Sequence, residues 1–118
     1  MSRETPKFVG KGWGSETHFA NSPLYCGKLL TFNKGKKCSF HYHKLKTEHF
    51  YLHKGQITLR VSNGDDLGKA EVLTLLPGDV FFVPPGLRHQ MHAEEDSELF
   101  EFSTQDFPED SYRIIKGD

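Results

Sequence analysis

Short apolar runs punctuated by turn-forming residues set the folding possibilities of this chain, and they point to β architecture. Eleven Gly and six Pro are spread over 118 residues, and they bound short runs rich in apolar, aromatic and β-branched side chains. Gly opens backbone conformations closed to other residues, and Pro fixes φ and removes an amide donor, so both punctuate regular structure. No stretch carries a convincing helical period. In QITLRVS, Ile57, Leu59 and Val61 alternate with polar residues, the period-two pattern of a half-buried strand. Comparable runs cover 24–32, 37–43, 47–53, 70–76, 81–84, 88–93 and 97–104, and a turn with a short edge strand is expected within 107–115. Eight or nine short strands at regular spacing predict an all-β domain, a sandwich or a barrel. That domain is expected to span 24–118. Residues 1–23 are polar and Gly-rich, with Trp13-Gly14 as their one distinctive feature, and read as an extended N-terminal arm lying on the domain or on a partner subunit.

The length suits one domain, and fifteen aromatic residues (ten Phe, four Tyr, one Trp) supply much of its core. A formal net charge of −1 provides no field to draw nucleic acid. No apolar run is long enough to span a bilayer, and MSRETPKFVGKGWG lacks the apolar core of a signal peptide. A cytoplasmic protein with no membrane partner is therefore expected. Cys26 and Cys38 flank a turn at 33–36; a tight hairpin there would set Cys38 opposite residue 31 and leave Cys26 about 17 Å away at strand rise, beyond disulfide reach. Both are expected as buried free thiols.

The richest chemistry lies between Gly35 and Gly55, in GKKCSFHYHKLKTEHFYLHKG. His41 and His43 are two residues apart, so on a strand they project from one face, with Cys38, Phe40 and Tyr42 on the other. If the chain turns at 44–47 and runs back, Glu48 reaches the same space. Two imidazoles and a carboxylate converging on one point suit a first-row metal ion. A further ligand is available in GDVFFVPPGLRHQMHA, where His89 opens a strand after a Pro-Pro-Gly turn. His49 and His53 alternate away from Glu48, and His92 from His89; with His18 they are read as outer-face or surface residues.

These spacings resemble the two motifs of the cupin superfamily. Gly35, His41, His43, Glu48 and Gly55 match the first, and Gly78, Pro84, Gly86 and His89 match the second, with Ala93 where the family pattern has Asn. The resemblance implies a double-stranded β-helix, or jelly-roll barrel, with one divalent metal ion in its mouth held by His41, His43, Glu48 and His89. Three neutral imidazoles and a carboxylate leave coordination positions open on iron(II), manganese or nickel, and on zinc at lower coordination. Small cupins commonly pair through their sheets, and an outer face of Phe40, Tyr42 and Tyr51 would suit a homodimer contact.

A narrower resemblance runs through WG at 13, YCGKLL at 25, SFHYHKLKTEHF at 39, LFEF at 99 and EDSYR at 109. It is similar to the cupin-type (type II) mannose-6-phosphate isomerase domains, which usually carry Gln at the position of His41. This resemblance implies a sugar or sugar-phosphate substrate, Glu101 as the proton shuttle, and Lys28, Lys46 and Arg113 as substrate-binding cations. A metal would polarise the substrate oxygens, a carboxylate would move the proton, and Arg and Lys would hold the phosphate. The ligand set alone equally admits an Fe(II)-dependent dioxygenase or a non-catalytic sugar-binding module.

Overall fold

The computed structural model describes residues 2–118. In chain order its strands are β1 (Lys7–Lys11), β2 (Gly14–Asn21), β3 (Cys26–Phe32), β4 (Phe40–Tyr42), β5 (Glu48–Lys54), β6 (Ile57–Ser62), β7 (Glu71–Leu75), β8 (Val80–Val83), β9 (Arg88–Ala93), β10 (Ser97–Ser103) and β11 (Tyr112–Ile115), with one 3-10 turn at Leu67–Lys69. Period-two burial is clearest in β6, which buries Ile57, Leu59 and Val61, and in β3, which buries Cys26, Lys28, Leu30 and Phe32. The strands form two antiparallel sheets, ordered β1-β2-β3-β10-β5-β8 and β11-β4-β9-β6-β7. This is the expected all-β jelly roll. Among the described residues, no helix is long and apolar enough to cross a membrane.

The core lies between the inner faces. Leu30, Phe32, Phe50, Leu52, Ile57, Leu59, Met91 and Leu99 are all nearly inaccessible, and Trp13 closes one end of this cluster, stacked on Phe32 with ring centroids 4.2 Å apart. Gly55 makes the β5–β6 corner possible. Its φ is +97°, and a Cβ there would collide with Ser97 and the Asp96 carbonyl, so only glycine fits without strain.

Several expectations change on folding. The tight hairpin between 24–32 and 37–43 is absent: β3 pairs with β2 and β10, while β4 pairs with β9 and β11. The turn at 33–36 carries the chain from one sheet to the other, and the same holds for 44–47 between β4 and β5. Both cysteines are nonetheless free and buried. Cys38 does not oppose the histidines. Residues 37–39 make only an isolated bridge at Lys37, so two-residue alternation does not extend back from β4, and Cys38 and His41 line one cavity.

The proposed aromatic contact face also dissolves. Phe40 is fully buried, Tyr42 lies in the five-stranded sheet stacked on Tyr112 at 5.2 Å, and Tyr51 lies in the other sheet. The N-terminal segment, expected as an arm, supplies the β1–β2 hairpin at the edge of the six-stranded sheet, with Lys7 paired to His18 and His18 to Lys28.

Candidate metal centre and cavity

His41 and His89 face each other directly across the β4–β9 ladder, and His43 follows two residues after His41 on the same side. The three rings cluster with centroids 4.4 to 5.5 Å apart, and one ring nitrogen from each lies within 4.8 Å of the others. Each ring is oriented from behind. His41 Nδ1 lies 3.0 Å from the Ser39 carbonyl, His43 Nδ1 donates to the Asp110 carbonyl at 2.7 Å, and His89 Nδ1 to the Leu87 carbonyl at 2.9 Å. A carbonyl can only accept, so the proton of each neutral ring sits on Nδ1, and Nε2 presents a lone pair. Burial keeps the rings neutral. It lowers His41 well below the ordinary imidazole range, with help from His89 and His43. It lowers His43 with help from Lys46, and takes His89 down to about 3.

Glu48 approaches from the facing sheet, because the 44–47 turn crosses the sandwich. Its Oε2 stands 3.6 Å from His43 Nε2 and 3.4 Å from His89 Nε2. That oxygen is buried and has no hydrogen-bond partner. An orphaned carboxylate oxygen among imidazole lone pairs is a cluster of acceptors without a donor, an arrangement that costs free energy until a cation or proton enters. Burial, followed by the neighbouring Glu101, raises the Glu48 carboxyl to about 8 against the opposing pull of Lys46. The donor set, with every Nδ1 anchored on a carbonyl, fits a first-row divalent ion. His41, His43 and His89 can hold one, with Glu48 beside them.

Behind Glu48 runs a polar network. Lys46 Nζ reaches Glu48 Oε1 at 3.1 Å, Glu101 Oε2 at 3.1 Å and Asp106 Oδ1 at 2.9 Å. Lys28 Nζ lies 3.1 Å from Asp106 Oδ2 and 3.8 Å from Glu16 Oε1, and His18 Nε2 donates to Glu16 Oε1 at 2.7 Å. Burial opposes the charge on both lysines, but Glu101 and the other carboxylates outweigh it and raise them above the ordinary lysine value. Burial likewise pushes Glu101 up, and Lys46 with Lys28 reverses this and holds it below the usual carboxylate range.

All eight side chains singled out in the sequence (His41, His43, Glu48, His89, Glu101, Lys28, Lys46 and Arg113) line one cavity of about 280 Å³. Their surroundings differ. Glu101, Lys28 and Lys46 are buried within it, both lysines ion-paired to carboxylates, whereas Arg113 is exposed at its rim on β11, in register with His41. His49 and His53 are exposed and His92 half-buried. His18, expected outside the site, lines the cavity with Glu16.

Asp110 is the principal residue that sequence reasoning missed. Its carbonyl orients His43, while its buried carboxylate accepts from the backbone amides of Lys44, Leu45 and Lys46 at 2.8 to 3.2 Å. One residue thus fixes a ring and the turn leading to Glu48. Asp106 was also missed. Neither carries a local signal, since each acts on a turn about sixty positions earlier.

Residues 28–102 match the family described as Cupin domain. The chain belongs to the cupin family. Among solved structures it is similar to KdgF from Halomonas sp., with TM-score 0.74 and 19% identity over 87% of this chain and 91% of that one. It is also similar to the capsular polysaccharide assembling protein CapF from Staphylococcus aureus, with TM-score 0.78 and 20% identity over 96% of this chain and 32% of that one. Oxalate decarboxylase from Bacillus subtilis matches with TM-score 0.77 and 17% identity, over 92% of this chain and 30% of that one. This chain spans about a third of the latter two, and likeness at such identity concerns the fold. No curated protein matches it in sequence.

Proposed function

We propose that this cupin is a metal-dependent isomerase that moves a proton between neighbouring carbons of a sugar phosphate. The orphaned Glu48 Oε2, set among three imidazole lone pairs and one lysine away from Glu101, carries this reading. A divalent ion (zinc, manganese, iron or nickel) held by His41, His43, His89 and Glu48 would supply Lewis acidity to the substrate's oxygens. Glu101, kept ionised by Lys46 and Lys28, accepts the proton from one carbon and returns it to the next. Lys46 holds both Glu48 and Glu101 in place, and Lys28 with Asp106 supports the same network. The buried polar groups between the sheets suit hydroxyl-rich ligands. Two free buried cysteines suit a reducing, cytoplasmic setting.

The partner in this reading is a second copy of the chain. Phe8, Leu29, Phe100, Tyr51 and Val80 lie in register across the outer face of the six-stranded sheet. Phe19, Phe82 and Phe102, each about half exposed, flank that row. Aromatic side chains bury roughly 150–250 Å² each, so the uncovered apolar area is on the order of 500 Å². A patch of that size suits an interaction site, and a self-complementary apolar face on a sheet can pair with its own copy about a two-fold axis.

Zinc- or manganese-loaded protein is expected to interconvert an aldose phosphate and its ketose without oxygen. Glu101→Gln should lower that rate by about 10²-fold or more while metal remains bound. Turnover only with iron and oxygen would reassign the protein to the dioxygenases. Sugar binding without turnover under every metal would leave a binding module.

A further inference from the structure

Charge around the cavity separates by depth. The inner part holds four carboxylates, Glu16, Glu48, Glu101 and Asp106, against the two ammonium groups of Lys28 and Lys46. Lys28 lies 3.1 Å from a carboxylate oxygen, and Lys46 has three such partners within 3.1 Å. A divalent cation beside Glu48 would bring this interior to neutrality. A dianion placed on Lys28 or Lys46 would break existing pairs and face the same carboxylates, so the interior lysines are poorly suited to hold a phosphate.

The rim has the opposite character. Lys7 and Lys11 on β1 and Arg113 on β11 line the same cavity, and none has an ion-pair partner among the described residues. Lys7, Val9 and Lys11 share the inner face of the hairpin by strand alternation. From Lys7 the register steps through His18 and Lys28 to Glu101, three strand spacings or roughly 14 Å. Arg113 stands across the opening, on the other sheet. Of the carboxylates beside these cations, Glu16, opposite Val9 on β2, is paired with His18 and Lys28, and Asp118 is engaged by the amide of Gly12. Cations thus flank the mouth from both sheets around an interior that, once it holds a metal, is neutral.

We propose that the mouth is an anion subsite in which Lys7, Lys11 and Arg113 hold the terminal phosphate of a sugar phosphate while its other end lies against Glu101 and the three histidines. Arg113 contributes a planar fork of donors, and the lysines contribute point charges on flexible stems. Binding energy collected at this remote end would orient the reacting carbons. The subsite rests on the sugar-phosphate reading above, but it is testable by binding alone.

Zinc-loaded protein would be titrated with mannose 6-phosphate and with mannose, following backbone amide shifts. The phosphate ester is expected to bind at least about tenfold more tightly, consistent with the strength of charge-assisted hydrogen bonds, and to shift amides in β1 and β11. Lys7→Ala/Arg113→Ala should lose about that factor for the ester and leave mannose unaffected. Lys54→Ala/Lys69→Ala, which removes the same charge from exposed positions elsewhere, should change neither. Equal losses for both ligands, no loss in the rim variant, or no binding of the ester would overturn the subsite. Selective loss without turnover would retain it and retire the isomerase.

Discussion

Lys46 offers a direct test of how the polar network is balanced. Its ammonium is buried with the side chain 4% exposed, and it is the shared partner of Glu48, Glu101 and Asp106. Lys46→Met keeps most of the volume and removes the charge, leaving three carboxylates with only Lys28 nearby. Removing one partner of a buried ion pair costs about 3–5 kcal/mol, and a domain of this size shifts its melting temperature by roughly 4 °C or more per kcal/mol. The metal-free variant should therefore melt at least about 12 °C below the parent, as read by thermal and urea unfolding. Glu101→Gln in the Lys46→Met background should restore about 1–3 kcal/mol, the coupling expected of groups in one network. The acid limb should change as well. Burial raises the Asp106 carboxyl, but Lys46 and then Lys28 overcome this and hold it at about 2, below its ordinary 3.8. A depressed carboxyl stabilises the fold above its unfolded value, and that stability is lost as pH falls through the folded one. The parent should accordingly lose stability between about pH 4 and 2, and the variant should lose less there. A variant within about 0.5 kcal/mol of the parent, the scatter of ordinary surface changes, would refute the account.

Asp110→Ala removes the acceptor for three backbone amides of the 44–46 turn, and zinc affinity measured by chelator competition should fall about 10- to 100-fold, as when support behind a metal ligand is lost; an unchanged affinity would show that the turn holds its shape alone. Phe102→Glu puts a charge into the outer aromatic face, so light scattering should report a monomer for the variant and a dimer for the parent. Two species of the same mass would place the interface elsewhere.

The sequence was most informative where a short-range rule applied. His41 lies on β4 and His43 one residue past its end, still two positions on and on the same side, and His89 joins them through one ladder position. Glu48 stands beside the histidines, but it reaches them across the sandwich, not along the hairpin expected at 44–47. The β1–β2 hairpin escaped notice because its inner face is polar. Lys7, Glu16 and His18 line a cavity rich in charged groups, so the hydrophobic alternation that reveals β6 is missing from them. Residues 37–39 misled for a related reason, since periodicity was carried through a segment that makes only one bridge. Asp106 and Asp110 act on a turn far back in the chain, and no local pattern records that partnership. Ala93, where the family pattern has Asn, lies fully buried in the core, and its backbone amide and carbonyl, not its side chain, bond Lys36 and Gly35.

Trp13 is the chain's single tryptophan, 3% exposed, stacked on Phe32 and part of the cavity wall. Its indole Nε1 donates to the Asp118 carbonyl at 2.9 Å. The molecule therefore carries an intrinsic fluorophore at the lining of the space where a ligand would sit. Selective excitation of that indole isolates it from the four tyrosines, so a shift in emission maximum or a change in quenching reports occupancy of the cavity without any label. The same signal, followed in a stopped-flow mixing experiment, would time the arrival of a ligand separately from any chemistry that follows.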